Sequence, residues 1–200
     1  MYKRQVDGAP TQVEVDGELV EIRSDFRASI LFEELMQDEE VPEHQKILQA
    51  LELYYPVVPQ NLTQAVERML WFYRCGKEPE QVGEASSSAP VYSFEQDAGY
   101  IYAAFLGQYG VDLETVEYLH WWKFRAMFQS LASDCEFVKI MGYRGMTISP
   151  KMSNEQKQFY RDMKKLYALP ISQKKKKQIS ALEEALMGSG DVSGLLQGRP

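Results

Sequence analysis

A chain of 200 residues with 44% hydrophobic and 12% aromatic side chains can pack one core and is too short for two large ones, which excludes both wholesale disorder and a two-domain machine. Twenty-nine acidic against 22 basic residues give a net charge of −7, so the chain as a whole repels phosphate backbones and a generic nucleic-acid binder is disfavoured. No run approaches the roughly 18 apolar residues that span a bilayer and no apolar signal core opens the chain, so a soluble protein made without export is expected.

Residues 1–5, Met1-Tyr2-Lys3-Arg4-Gln5, read as a translated sequencing adapter, a scar set aside from fold reasoning. Residues 6–170 predict a mainly α protein: a single compact helical domain of about seven to eight helices with a small N-terminal β-hairpin packed on it. Asp16-Gly17 between two alternating runs is the strongest hairpin signal. A two-residue turn there pairs Val15 with Glu18, Val13 with Val20 and Thr11 with Ile22. Val13, Val15, Val20 and Ile22 then share one face, which needs a helical cover.

Ser24 or Asp25 caps a helix from Phe26 to about Gln37, with Phe26, Ile30 and Leu35 on its inner face. Pro42 opens a second helix carrying Ile47, Leu48, Leu51 and Tyr54 before the Pro56 to Pro59 interruption. A third, Leu62 to Cys75, presents Leu62, Val66, Met69, Leu70 and Tyr73, with Gly76 as its stop. Residues 77–92 lack periodicity and read as a flexible acidic loop. Ser93 with Gln96 is a capping-box pattern for a helix running to Gly110. The segment Leu113 to Leu131, apolar nearly all round, reads as one central helix. Ser133 with Glu136, and Ser153 with Gln156, repeat the capping pattern for two further helices, the last ending near Leu169-Pro170. Residues 171–200 read as a Lys-rich helix, Lys174 to Met187, followed by a disordered tail.

The two cysteines, Cys75 and Cys135, and two histidines, His44 and His120, show no paired zinc spacing, so reduced, buried thiols and no metal site are expected. Phosphate-binding glycine loops, nucleophile elbows and zincin motifs are all missing, so no catalytic residue, no cofactor and no enzymatic activity are expected. The acid pairs Glu33 and Glu34, Glu39 and Glu40, and Glu183 and Glu184 read as solvated helix surface.

His120-Trp121-Trp122 suggests a stacking platform, but successive helical residues point about 100° apart, so these three cannot form one flat surface. A core role is expected, with His120 hydrogen-bonded to a polar neighbour and Trp122 in a buried row with Leu119 and Ala126. Asp25, Arg27, Asp97 and Arg144 sit among core-forming residues and are candidates for buried ion pairs that fix helix register. Residues 151–177 hold nine bases against Glu155 and Asp162, a local charge of +7 that leaves −14 for the rest. Lys174 to Lys177 wrap right around a helix. Lys157, Arg161, Lys164 and Lys165, at i, i+4, i+7 and i+8, form a stripe and are the better candidate for binding a partner.

Ser24-Asp25-Phe26-Arg27 after the hairpin, Trp71-Phe72-Tyr73-Arg74-Cys75-Gly76 before the loop, Phe94-Glu95-Gln96-Asp97-Ala98, Ile101-Tyr102-Ala103-Ala104-Phe105, Asp112-Leu113, His120-Trp121-Trp122-Lys123-Phe124 and Lys164-Lys165-Leu166-Tyr167-Ala168-Leu169 form a set that resembles the bacteriophage gene-product-fifteen family, from about Val13 to Leu169. The resemblance supplies no catalytic residues. Genes of that family typically lie in the tail module of siphophages and prophages, near the tape measure gene. The resemblance therefore implies a non-enzymatic tail assembly protein of the host bacterial cytoplasm, with phage tail proteins as partners and the tape measure protein as the client of a chaperone. A minor structural virion component, such as a tail or connector completion protein, is the alternative, and a nucleic-acid-binding protein is the third reading.

Overall fold

A computed structural model describes residues 8–78 and 90–170. The expected adapter residues, most of the expected loop, the Lys174–Lys177 run and the expected last helix and tail lie outside the described residues. All nine described elements belong to one compact unit, Met1–Ala168.

β1 (Gln12–Val15) and β2 (Glu18–Glu21) pair antiparallel in the expected register, Val13 opposite Val20 and Val15 opposite Glu18. Asp16 and Gly17 have φ of 53° and 80°, the two left-handed positions that a tight hairpin turn requires. Val13, Val15 and Ile22 are buried, and β1 packs against α3. The turn is tied to the start of α3 as well: Asn61 Nδ2 donates to Asp16 Oδ1 at 2.7 Å, and the Asp16 N–H donates to Gln64.

Seven helices follow among the described residues: α1 (Phe26–Gln37), α2 (Glu43–Tyr54), α3 (Leu62–Tyr73), α4 (Ala98–Tyr109), α5 (Trp121–Gln129), α6 (Glu136–Gly145) and α7 (Asn154–Leu166). The protein is mainly α, with the hairpin as its only described sheet. Asp25 caps α1 and Asn61 caps α3 by accepting backbone N–H groups, and Ser153 with Gln156 forms a complete capping box at α7. The core centres on α5. Phe124 stacks on Phe26, Phe105 and Trp121 at centroid distances of 4.9, 4.8 and 5.7 Å, and Trp121 stacks in turn on Tyr73.

Several expectations shift. The central helix is shorter than its apolar run: it starts at Trp121, and residues 113–120 form turns and an extended stretch. Asp112 holds the Glu114 and Thr115 N–H groups in a side-chain turn. The chain then pairs with the entry to α1, where Phe26 N–H donates to Leu119 O and Trp121 N–H to Ser24 O. This long-range pairing gives those backbone groups partners outside a helix. The buried row on α5 is therefore Trp121, Phe124 and Phe128, while Ala126 is exposed and Trp122 half-buried.

On α1 the innermost residues are Phe26, Ser29, Phe32 and Glu33, with Ile30 and Leu35 half-buried. Ile47, Leu48 and Leu62 are exposed; α2 and α3 bury the expected Leu51, Tyr54 and Met69, together with Ala50, Ala65 and Phe72. The helix after Ser133 starts later, at Glu136, without a side-chain cap bond from Cys135. At the end of α3 the left-handed turn includes Cys75 as well as Gly76, with φ of 57° and 68°. Gly76 N–H reaches back to Trp71 O and Cys75 N–H to Phe72 O.

Candidate functional site

The expected core motif is a clasp between helix ends. His120 precedes α5 and its Nδ1 accepts the Trp122 N–H at 3.0 Å, so the ring proton sits on Nε2, which donates to Pro10 O at 2.9 Å. Burial lowers the His120 pKa below its ordinary 6.5; the Pro10 bond opposes this and nearby Lys123 adds to it. Trp121 Nε1 donates to Tyr73 O and Trp122 Nε1 to Phe72 O, each at 2.8 Å. These carbonyls lie in the last turn of α3, past the regular i+4 ladder, and Phe72 O also accepts the Cys75 N–H. The two indoles thus sit on separate carbonyls of one helix end.

The four candidate ion-pair residues form two pairs. Arg144 grips Asp97 through both terminal guanidinium nitrogens, at 2.6 and 2.9 Å, and Asp97 is 1% exposed. Asp97 also accepts the Ser93 N–H, and Arg144 donates to Val91 O and Tyr167 O, so one pair joins α4, α6 and the chain on either side of them. Asp25 pairs with Arg27 at 3.2 Å nearer the surface. Asp25 Oδ2 accepts the Leu119 N–H, and Arg27 donates to Leu113 O and Val116 O, so this pair holds the turn before α5.

Glu33 is not solvated helix surface: it is buried on α1, accepting from Tyr73 OH at 2.7 Å and Tyr92 OH at 3.3 Å, with Arg125 at 3.9 Å. Burial, with Glu33 alongside, raises the pKa values of both phenols and keeps them donors. The neighbouring Glu34 faces elsewhere, as successive helical positions must.

The basic stripe on α7 divides in two. Lys164 donates to Arg144 O, which pins α7 to the end of α6, and Lys157 donates to Pro150 O in the connection between them. Arg161 and Lys165 remain exposed. Among the described residues no three His, Cys, Asp or Glu side chains converge as metal ligands, and Cys75 and Cys135 are half-buried rather than fully buried and form no disulfide.

A groove lies elsewhere among the described residues. It measures ≈ 910 Å³ and runs between α1, α2 and the end of the hairpin, with Ala28, Leu31 and Leu35 at i, i+3 and i+7 on one wall and Gln49, Glu52 and Leu53 on the other. Ile22 and Tyr118 contribute to its lining, and Leu31 is 49% exposed. Arg23, which also lines the groove, is tied to the end of α2: its N–H donates to Tyr54 O at 2.7 Å and its guanidinium to Glu52 O and Leu53 O. The signal in the sequence was the surplus of apolar residues on α1, where Ile30, Leu31, Phe32 and Leu35 exceed what one buried face absorbs. A helix with one face in the core and a second apolar row outside presents a surface for another apolar element.

Among the described residues no helix is long and apolar enough to cross a membrane. No curated protein and no solved structure matches the chain. The family model described as Bacteriophage Gp15 protein matches residues 6–169, nearly all of the compact unit that builds these helices and the groove, and the chain belongs to that family.

Proposed function

We propose that this phage protein works by binding rather than by catalysis, as a tail assembly protein of the host cytoplasm that shields an apolar helical stripe of a partner, the tape measure protein being the intended client. The observation that carries the reading is the groove between α1 and α2, whose Leu31, Leu35 and Leu53 leave room for a row of partner side chains. A long coiled-coil client exposes apolar residues at i, i+3, i+4 and i+7 until tail subunits close around it, and a helix-lined groove is the complement of such a row.

Co-expression with the tape measure protein of the same phage tests this. Raised client solubility and co-purification are expected, and both should be lost in Leu31→Glu, which changes an exposed groove position. A client that stays insoluble and never co-purifies overturns the chaperone reading. Recovery of the protein at fixed copy number from purified virions would replace it with a structural one.

A further inference from the structure

The chain carries a ridge as well as a groove. Helix α7 spans 13 residues, about 20 Å, and sets Phe159, Met163 and Leu166 at i, i+4 and i+7 along one side. Phe159 is 47% and Leu166 67% exposed, with Met163 half-buried between them. The side that meets α6 is a different one: there Lys164 bonds Arg144 O, and Tyr167, just past the helix, stacks on Tyr143. The apolar row therefore faces outward while α7 is already docked on α6. The groove between α1 and α2 keeps accessible apolar surface of its own, with Leu31 exposed and Leu35 and Leu53 half-buried, and no residue of α7 lines it.

The two surfaces also differ in charge. Lys157, Arg161, Lys164 and Lys165 against Glu155 and Asp162 leave α7 at +2, within the segment 151–177 that holds +7 while the rest of the chain holds −14. Exposed Glu21 and Glu52 stand on the groove rim, and the one base there, Arg23, is tied to the carbonyls that end α2. Ridge against ridge brings basic segments together, and groove against groove brings acidic rims together. Ridge against groove joins opposite signs.

We propose that α7 of one copy docks by its Phe159, Met163 and Leu166 row in the α1–α2 groove of a second copy, a head-to-tail contact of the chain with itself. The row enters between Leu31 and Leu35 on one wall and Leu53 on the other, as the ridge of one helix fits the furrow between two. Such a contact uses two different patches, so it does not close in a pair and repeats into a ring or an open string. The inference rests on the reading of the groove as a helix-binding site but not on the identity of the client. A docked α7 and a client helix exclude each other.

The test is sedimentation of the full chain. A one-helix contact belongs to the small, weak end of protein interfaces, so the range is about 10 µM to 1 mM. The wild type should gain average mass with concentration and pass the dimer. Leu31→Glu spoils the groove and Leu166→Glu the ridge, both at exposed positions, and each variant alone should stay monomeric. Should either lower the melting temperature, Leu31→Ser and Leu166→Ser take their place. An equimolar mixture of the two should form a dimer and nothing larger, since one variant supplies the only intact ridge and the other the only intact groove. A wild type that stays monomeric to about 1 mM, a mixture that stays monomeric, or association that survives Leu31→Glu overturns the proposal. Leu166→Glu should still capture the tape measure protein, which Leu31→Glu should not. Capture without self-association therefore overturns this inference alone, and self-association without capture overturns the chaperone reading alone.

Discussion

Trp121 and Trp122 are chain neighbours with the same donor chemistry, yet their losses should differ in size. Trp121 is fully buried in the aromatic column, so Trp121→Ala opens a cavity and should cost about 3–5 kcal/mol. Trp122 is half-buried, and Trp122→Ala should cost about 1–2 kcal/mol through partial loss of packing and of its bond to Phe72 O. Urea melting of the two variants checks the order; equal losses would contradict the packing described. An effect of the same size belongs to Asp97, whose charge is buried with Arg144 as its grip. Arg144→Met should cost about 3–5 kcal/mol, and adding Asp97→Leu should recover part of that, because the penalty comes from stranding the charge rather than from losing attraction. A double-mutant cycle by chemical denaturation measures the recovery.

At the level of elements, the end of each helix decides behaviour. His120 caps α5 only while its Nδ1 is free to accept, and its pKa lies below the ordinary 6.5. As pH falls through about 6.5 the unfolded chain takes up a proton that the folded chain refuses, so this residue's contribution is present above that pH and is lost downward to the folded pKa. His120→Asn keeps a capping side chain without the titration. The gap in melting temperature between the wild type and this variant should narrow as pH drops from about 7 to 5, as scanning calorimetry can show.

The helix α7 stands at the other extreme. It buries none of its residues, leaves Leu166 67% exposed and is held by Lys157, Lys164 and ring contacts to Tyr143. Its amides should exchange hydrogen well ahead of those in α3 and α5, by mass spectrometry after pulse labelling.

The elements also show what a sequence can disclose. The hairpin register and the caps at Asp25 and Ser153 were legible because they depend on residues within a few positions of one another. The start of α5 was not, since it is set by backbone bonds to Ser24 and Phe26, distant in the chain. Glu33 looked like surface for the same reason: Tyr73, Tyr92 and Arg125 reach it only through the fold. The groove between α1 and α2 left one trace in the sequence, the apolar surplus on α1; its other wall and the residues at the end of the hairpin come together only through the fold.

Across the whole molecule α1 borders two concavities, with Leu31 and Leu35 lining one and Ile30 and Glu34 the other. The clasp at α3 and α5 lies apart from both. That clasp has an optical consequence. The chain's three tryptophans are Trp71, Trp121 and Trp122. All belong to one joint, for Trp71 meets Trp122 edge-on at 5.7 Å and both other indoles bond to the end of α3. Intrinsic emission is therefore a reporter of a single place: it should redden when α3 and α5 separate, whereas release of α7 should lower far-ultraviolet ellipticity and leave the spectrum almost unmoved. Heating the protein while recording both signals would reveal a fluorescence transition that trails the ellipticity loss, a lag that a chain with scattered indoles could not display.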